Sequence, residues 1–221
     1  MVAGYVGNQA QWASFASDWI KILGPRENLH MRRLRWNSGS RKLLADLAPI
    51  PDRYNLQRVI GGLWMSDYED LAKGRISEKV ANPYMIAAQI CIVEVLRIIG
   101  QNERISFVFD RQRTYENVMQ SLFKLIFETS NTDDRVVVPP IFKDKSQTVC
   151  LDPADFLAFQ VREYKTNPDS PKARAGMPIL GDGTVAGYIY SREQLRDFVE
   201  TLLKAGVALD RGPKKGRRQS Y

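Results

Sequence analysis

From Asn82 to about Ile99 the chain reads as a helix that is apolar on nearly every side. Asn82 is a good N-cap, and Pro83 suits the first helical position, where no backbone N–H is needed. Gly100 stops the helix. A helix without a polar face cannot lie on a surface. Other elements must cover it from several directions, so the chain has to build layers around it. Glu94 is the exception on this helix. A buried carboxylate needs a partner, and either Arg97 or a metal ion would serve. The segment is too short to span a bilayer and carries Gln89, Glu94 and Arg97, so no membrane association is expected.

The flanking patterns say what the layers are. Val2 to Val6 has strand character. Asn8, with Gln11 three residues on, signals a capping box. Trp12, Phe15, Ala16, Trp19, Ile20 and Leu23 then recur at helical spacing until Gly24-Pro25. Residues 26–40 read as a basic loop with a short helix, and Arg41 to Ala48 as a further helix. Tyr54 to Met65 reads as a strand, weakened or bulged at Gly61-Gly62. Arg104 to Asp110 is a buried strand, Tyr115 to Glu128 an amphipathic helix, and Val136 to Val138 a short strand closed by Pro139-Pro140. Asp152 and Pro153 open a helix with Phe156, Leu157 and Val161 on its apolar face. Residues 165–180 read as a loop, Gly181-Asp-Gly183 as a turn, and Val185 to Tyr190 as a strand. Ser191 with Gln194 starts a last helix running to about Ala205. Alternating strands and helices argue a layered α/β fold, expected as one domain over residues 1–207 with a disordered basic tail at 208–221.

The net charge is +7, with a pI near 9.4. Five basic and no acidic residues fall in Arg211–Tyr221, which leaves the remainder nearly balanced. Such a tail is either a solubilising end or a contact for phosphate through counterion release. Cys91 and Cys150 sit in apolar surroundings and read as small core residues in a reducing, cytoplasmic compartment. No basic leader precedes an apolar stretch at the N-terminus, so no signal peptide is expected.

The chemistry centres on Asp110, a carboxylate at the end of a strand, where open α/β sheets gather their functional groups. A second acid, Asp155, lies in Leu151-Asp-Pro-Ala-Asp-Phe-Leu-Ala. If the two converge, they make a site for a hard cation, Mg²⁺ or Mn²⁺, which takes oxygen ligands and keeps several waters. Each also has a purely structural reading. Asp110 would cap the following turn, Asp155 would favour the positive end of its helix, and Asp152 would cap that helix. His30, the only histidine, suits acid–base work near neutral pH, though a lone histidine in a basic loop often does neither. Lys143 and Lys145 would hold a phosphate, steady a carboxylate, or simply form a solvated edge. Arg32, Arg33 and Arg35 would meet a nucleic-acid backbone or be a solvated face.

Gly4-Tyr-Val-Gly, Trp12 with Trp19, Leu29-His-Met31 and the Asn-Pro-Tyr84 helix start resemble the front half of a large, mostly bacterial and phage family. That family is named only as domain of unknown function 3800. Phe107-Val-Phe-Asp110, Phe142-Lys-Asp-Lys-Ser146 and Leu151-Asp-Pro-Ala-Asp155 resemble its back half, so the likeness covers roughly residues 2–165. It implies a ribonuclease H-like mixed sheet of about five strands flanked by helices, and metal-dependent phosphodiester hydrolysis of DNA or RNA. Asp110 would be the fourth-strand carboxylate and Asp155 the carboxylate of the late helix. Family members usually open on a strand bearing Asp-Glu-Ser-Gly or Asp-Asp-Ser-Gly. Here Met1 stands where that strand would already have ended, and Asp152 stands where Gln is common, an extra acid that would either add a ligand or cap the helix. The expectation is therefore a site lacking its first-strand acid. The exposed edge at Val2–Val6 would invite aggregation, strand exchange or a homodimer. Two functions remain open: a metal-dependent nuclease, or a truncated or inactive relative that binds nucleic acid or a protein.

Overall fold

The computed structural model describes residues 1–77, 81–100, 102–128, 136–181 and 185–206. The basic tail and most of the Gly181–Gly183 turn lie outside these residues. Among them are five strands: β1 (Val2–Val6), β2 (Gln57–Gly62), β3 (Ile105–Asp110), β4 (Val136–Lys143) and β5 (Val185–Ile189). The longer helices are α1 (Gln9–Leu23), α2 (Ser38–Leu47), α5 (Pro83–Ile98), α6 (Arg113–Glu128), α7 (Asp152–Thr166) and α9 (Arg192–Lys204). The shorter ones are α3 (Ile50–Arg53), α4 (Met65–Leu71) and α8 (Pro171–Gly176).

The expected continuous sheet of about five strands is not seen. β1, β2 and β5 form one sheet, with β1 antiparallel and β5 parallel to β2. β3 and β4 form a second, parallel sheet. The mixed α/β class stands. Among the described residues, β1 has β2 as its only ladder partner and β3 has β4.

Helix α5 joins the two sheets. Its Ile86 and Ala87 pack with Leu63, Leu195 and Val199, while its Met85, Ala88 and Ile92 pack with Met119, Phe123 and Phe142. Its Val95 packs with Val59, Ile105 and Ala186. The apolar wrap of this helix is thus used on several sides. The other face of β1 belongs to α7: Tyr5, alternate to Val2 and Val6, meets the cluster that holds Phe15, Trp19 and Phe156. A sheet covered on both faces results.

Gly61 is where β2 and α5 touch. A Cβ there would lie 2.1 Å from the Ala87 carbonyl oxygen and 3.0 Å from Ile90 Cβ. The glycine marks a close approach rather than a bulge, since the β1–β2 register runs unbroken through it. Gly61→Ala is expected to cost about 1–3 kcal/mol by overpacking, lowering the melting temperature by roughly 2–10 °C in calorimetry.

Local signals set many boundaries. The Asn8–Gln11 and Ser191–Gln194 capping boxes form, and Asn82 accepts the Met85 N–H. Several segments differ from expectation: the strand expected over Tyr54 to Met65 is confined to Gln57–Gly62, with Tyr54 ending α3 and Met65 opening α4. Pro139-Pro140 does not close β4, because the β3–β4 register shifts between Ser106 and Val108 and the ladder resumes at Val108–Ile141. Residues 171–180 form α8 and a 3-10 turn, not a loop, with Ser170 accepting the Ala173 N–H. Asp152 is not a cap, as shown below. Cys91 and Cys150 are free thiols. Among the described residues no helix is long and apolar enough to cross a membrane.

Candidate functional site

The site is assembled at the start of α7. Asp152 is fully buried, and its Oδ2 accepts the Leu29 backbone N–H at 2.9 Å and the Trp19 indole N–H at 3.3 Å. It makes no cap. It is the first residue of α7, and the N-cap Leu151 makes no side-chain cap bond. Sequence spacing pointed to a local bond, but partners from α1 and the loop at residue 29 claim the oxygen. Its other oxygen, Oδ1, is buried without a hydrogen-bond partner. Burial pushes the carboxyl up to about 6, while the Leu29 and Trp19 donors act in the opposite direction. The physical result is a clamp that fixes residues 29–31 against the head of α7.

One turn along, Asp155 Oδ2 gathers three partners. It accepts the Met31 backbone N–H at 3.0 Å, lies 3.2 Å from His30 Nδ1, and is 2.6 Å from Lys145 Nζ. The His30 contact requires the proton on Nδ1. Lys145 comes from the turn after β4, and its ammonium is largely covered, with the side chain 12% exposed. The loop at residues 30–31, remote in sequence, meets the turn after β4 and the head of α7 at this one oxygen.

Asp110 belongs to the same neighbourhood. Burial raises its carboxyl above the usual carboxylate range. The charges of Asp155 and Asp144 push it in the same direction, while Lys145 and His30 pull it down. Lys143 is its ladder partner across β3–β4. Arg111 staples the two strand ends: its backbone N–H donates to Lys143 O, and its guanidinium reaches Phe142 O and Asp144. The staple sets the direction in which the chain leaves β4, and so the place of Lys145. Tyr84, at the head of α5, stacks on Tyr115 with ring centroids 4.8 Å apart. Burial first, and then the Asp110 charge, raise its phenol to about 12.

The structure therefore brings Asp155, His30 and Lys145 into contact, while Asp110, with Lys143 as its ladder partner, lies near enough to feel their charges. Arg32 and Arg33 are exposed on a 3-10 turn immediately after His30. Glu94 lies apart. Of the two partners the sequence left open for it, the structure supplies Arg97, whose Nε and Nη2 both donate to Glu94 Oε2, at 3.0 and 2.6 Å. The clamp that Asp152 makes on Trp19 and Leu29, and the Tyr84–Tyr115 stack, were not legible in the sequence. Both arise from contacts between distant segments, which carry no local periodicity.

Among the described residues no group of three or more His, Cys, Asp or Glu side chains is placed to hold a metal ion. What is present is a pair of carboxylates, the hard oxygen donors that Mg²⁺ uses when substrate phosphate and water complete its shell. Comparison of the chain with protein-family models, with curated proteins and with solved structures finds no match.

Proposed function

We propose that the chain is a metal-dependent phosphodiester hydrolase acting on nucleic acid, built on a ribonuclease H-like arrangement of the kind its resemblance implies. The observation that carries this reading is the gathering of His30 and Lys145 on Asp155, at the head of α7, with Asp110 at the end of β3 near enough to feel their charges. Parallel pairing of β3 with β4 and antiparallel pairing of β1 with β2 support it.

Asp110 and Asp155 would hold Mg²⁺ or Mn²⁺. The ion, when bound, supplies an acidified water and charge stabilisation at the leaving oxygen. The protein's own groups have distinct parts. Asp155 orients His30 through Nδ1, which leaves Nε2 as the ring atom able to carry a proton to or from the reacting group. Lys145 and Lys143 add positive charge where a phosphate would lie. The Asp152 clamp holds His30 and Met31 in register with α7.

A second reading is a catalytically silent protein that binds nucleic acid. One observation favours it: the Lys145 ammonium at 2.6 Å occupies the carboxylate oxygen that a metal ion would need. Two measurements separate these readings. Hydrolysis predicts a melting-temperature rise of about 3–6 °C at a Mg²⁺ or Mn²⁺ concentration ten times its dissociation constant. It also predicts cleavage of labelled single- or double-stranded oligonucleotides that stops in EDTA. An unchanged melting temperature and intact oligonucleotides at millimolar Mn²⁺ would leave the binding reading in place.

A further inference from the structure

Next to the carboxylate site lies a cavity of about 170 Å³. Ligand pockets for drug-sized molecules run to about 300–1,000 Å³. This one suits a single planar ring and its attached group. Its walls come from the 3-10 turn after His30, from α7 and from α8. Trp36 and Phe159 are both partly buried against the cluster around Phe15, Trp19 and Phe156, which anchors them while a part of each stays accessible. Arg162 lies over the Phe159 ring, 5.4 Å from its centroid, and pairs with Glu163 at 3.1 Å. Arg32 and Lys172 also line the cavity, and among the described residues neither takes part in an ion pair.

The cavity is continuous with the site. Met31 lines it, and the Met31 N–H is the one that donates to Asp155. Asp155, Phe159 and Glu163 fall at i, i+4 and i+8 on α7, so one stripe of the helix runs from the carboxylate to the cavity. Each step along it is about 6 Å.

We propose that this cavity is a nucleotide subsite. An unpaired base stacks on Trp36 beside the Arg162 guanidinium that covers Phe159, and Arg32 and Lys172 hold its phosphate, so that single-stranded nucleic acid is led to Asp155. An anchored indole, a guanidinium plane on Phe159 and two cations outside any ion pair among the described residues provide what sequence-tolerant single-strand binding uses: stacking surfaces and backbone charge. A base inside a duplex is already stacked on both faces and cannot enter a cavity of this size. The inference rests on the hydrolase reading for its purpose, and it is tested without hydrolysis.

The experiment measures anisotropy of fluorescein-labelled oligonucleotides with the full chain in EDTA. The probes are oligo-dU, oligo-U and a hairpin duplex of equal length. The wild-type chain is expected to bind the single strands at least about tenfold more tightly than the duplex. Trp36→Leu should lose about tenfold, and Trp36→Tyr should recover most of it. The double variant Arg32→Gln/Lys172→Gln changes only exposed cations and so spares the fold. It should lose about tenfold and flatten the dependence of log affinity on log salt by about 1.4, the value for two fewer phosphate contacts. A difference between the dU and U probes assigns the sugar and leaves the subsite standing. Equal affinity for duplex and single strand, or single-strand affinity unchanged in both the tryptophan and the cation variants, would overturn it. A protein that binds as described yet never cleaves keeps the subsite and removes only the hydrolase reading. A protein that cleaves but binds both forms alike removes only the subsite.

Discussion

Asp155→Asn is expected to abolish Mg²⁺-dependent cleavage, by on the order of a thousandfold, or about 4 kcal/mol of transition-state stabilisation. The amide can still accept the Met31 N–H, so the loop at 29–31 keeps its place, but the largely covered Lys145 loses its partner and the melting temperature should fall by several degrees. What is lost is the charge that faces Lys145 and His30. The measurement is a single-turnover cleavage assay beside a thermal melt in the presence and absence of Mn²⁺. In the variant, the metal-induced rise in melting temperature should vanish together with cleavage. Lys145→Gln is the informative companion. If the ammonium only occupies the cation's position, this variant should show a larger metal-induced rise than the wild type. Wild-type cleavage by Asp155→Asn would place the chemistry elsewhere in the chain.

Asp152→Ala is expected to destabilise the fold by about 3–4 kcal/mol. It would orphan two buried donors, the Leu29 N–H and the Trp19 indole N–H, and open a cavity at the head of α7. Calorimetry should record a fall of roughly 6–16 °C for a chain of this size. The carboxyl also links stability to pH. Its folded value of about 6 lies above the ordinary 3.8, so between these values the folded chain holds more protons than the unfolded one. Stability from this group is therefore greatest below about pH 4 and falls as pH rises through 6, by about 3 kcal/mol in total. Asp152→Asn removes the titration. The difference between wild type and Asn variant, followed by urea melts from pH 4 to 7, should trace that slope. A flat difference would mean that the buried carboxyl does not titrate in this window.

Much of the framework was legible because it is set by bonds between near neighbours. The capping partners at Asn8, Asn82 and Ser191 lie three residues away, and spacing alone reveals them. The all-round apolarity of α5 implied a helix packed on several sides, and the clusters on it have that form. Legibility failed where a distant segment overrode a local rule. Pro139-Pro140 would end an isolated strand, yet the ladder to β3 absorbs the prolines through a register shift. Asp152 has the position and chemistry of a cap, but Trp19 and Leu29 compete for its oxygen and take it. Ser170 ahead of Pro171 was a true helix start, hidden in a stretch whose lysine, asparagine and proline content looked like a loop. For the site, Asp110 and Asp155 stood out by position, at a strand end and a helix head. That Lys145 would bridge to Asp155, and that Trp36 would meet Phe159 around a cavity, depended on how three segments fold onto α7.

Because His30 and Asp155 are separated by 125 positions, their union has an order in time. While the chain is being synthesised, the first strands, α1 and α5 can condense before residue 155 has left the ribosome. During that interval the histidine loop has neither of the carboxylates that fix it. Any reactivity the centre possesses is thus withheld from the nascent polypeptide and switches on only when α7 docks, the step that completes the long-range closure.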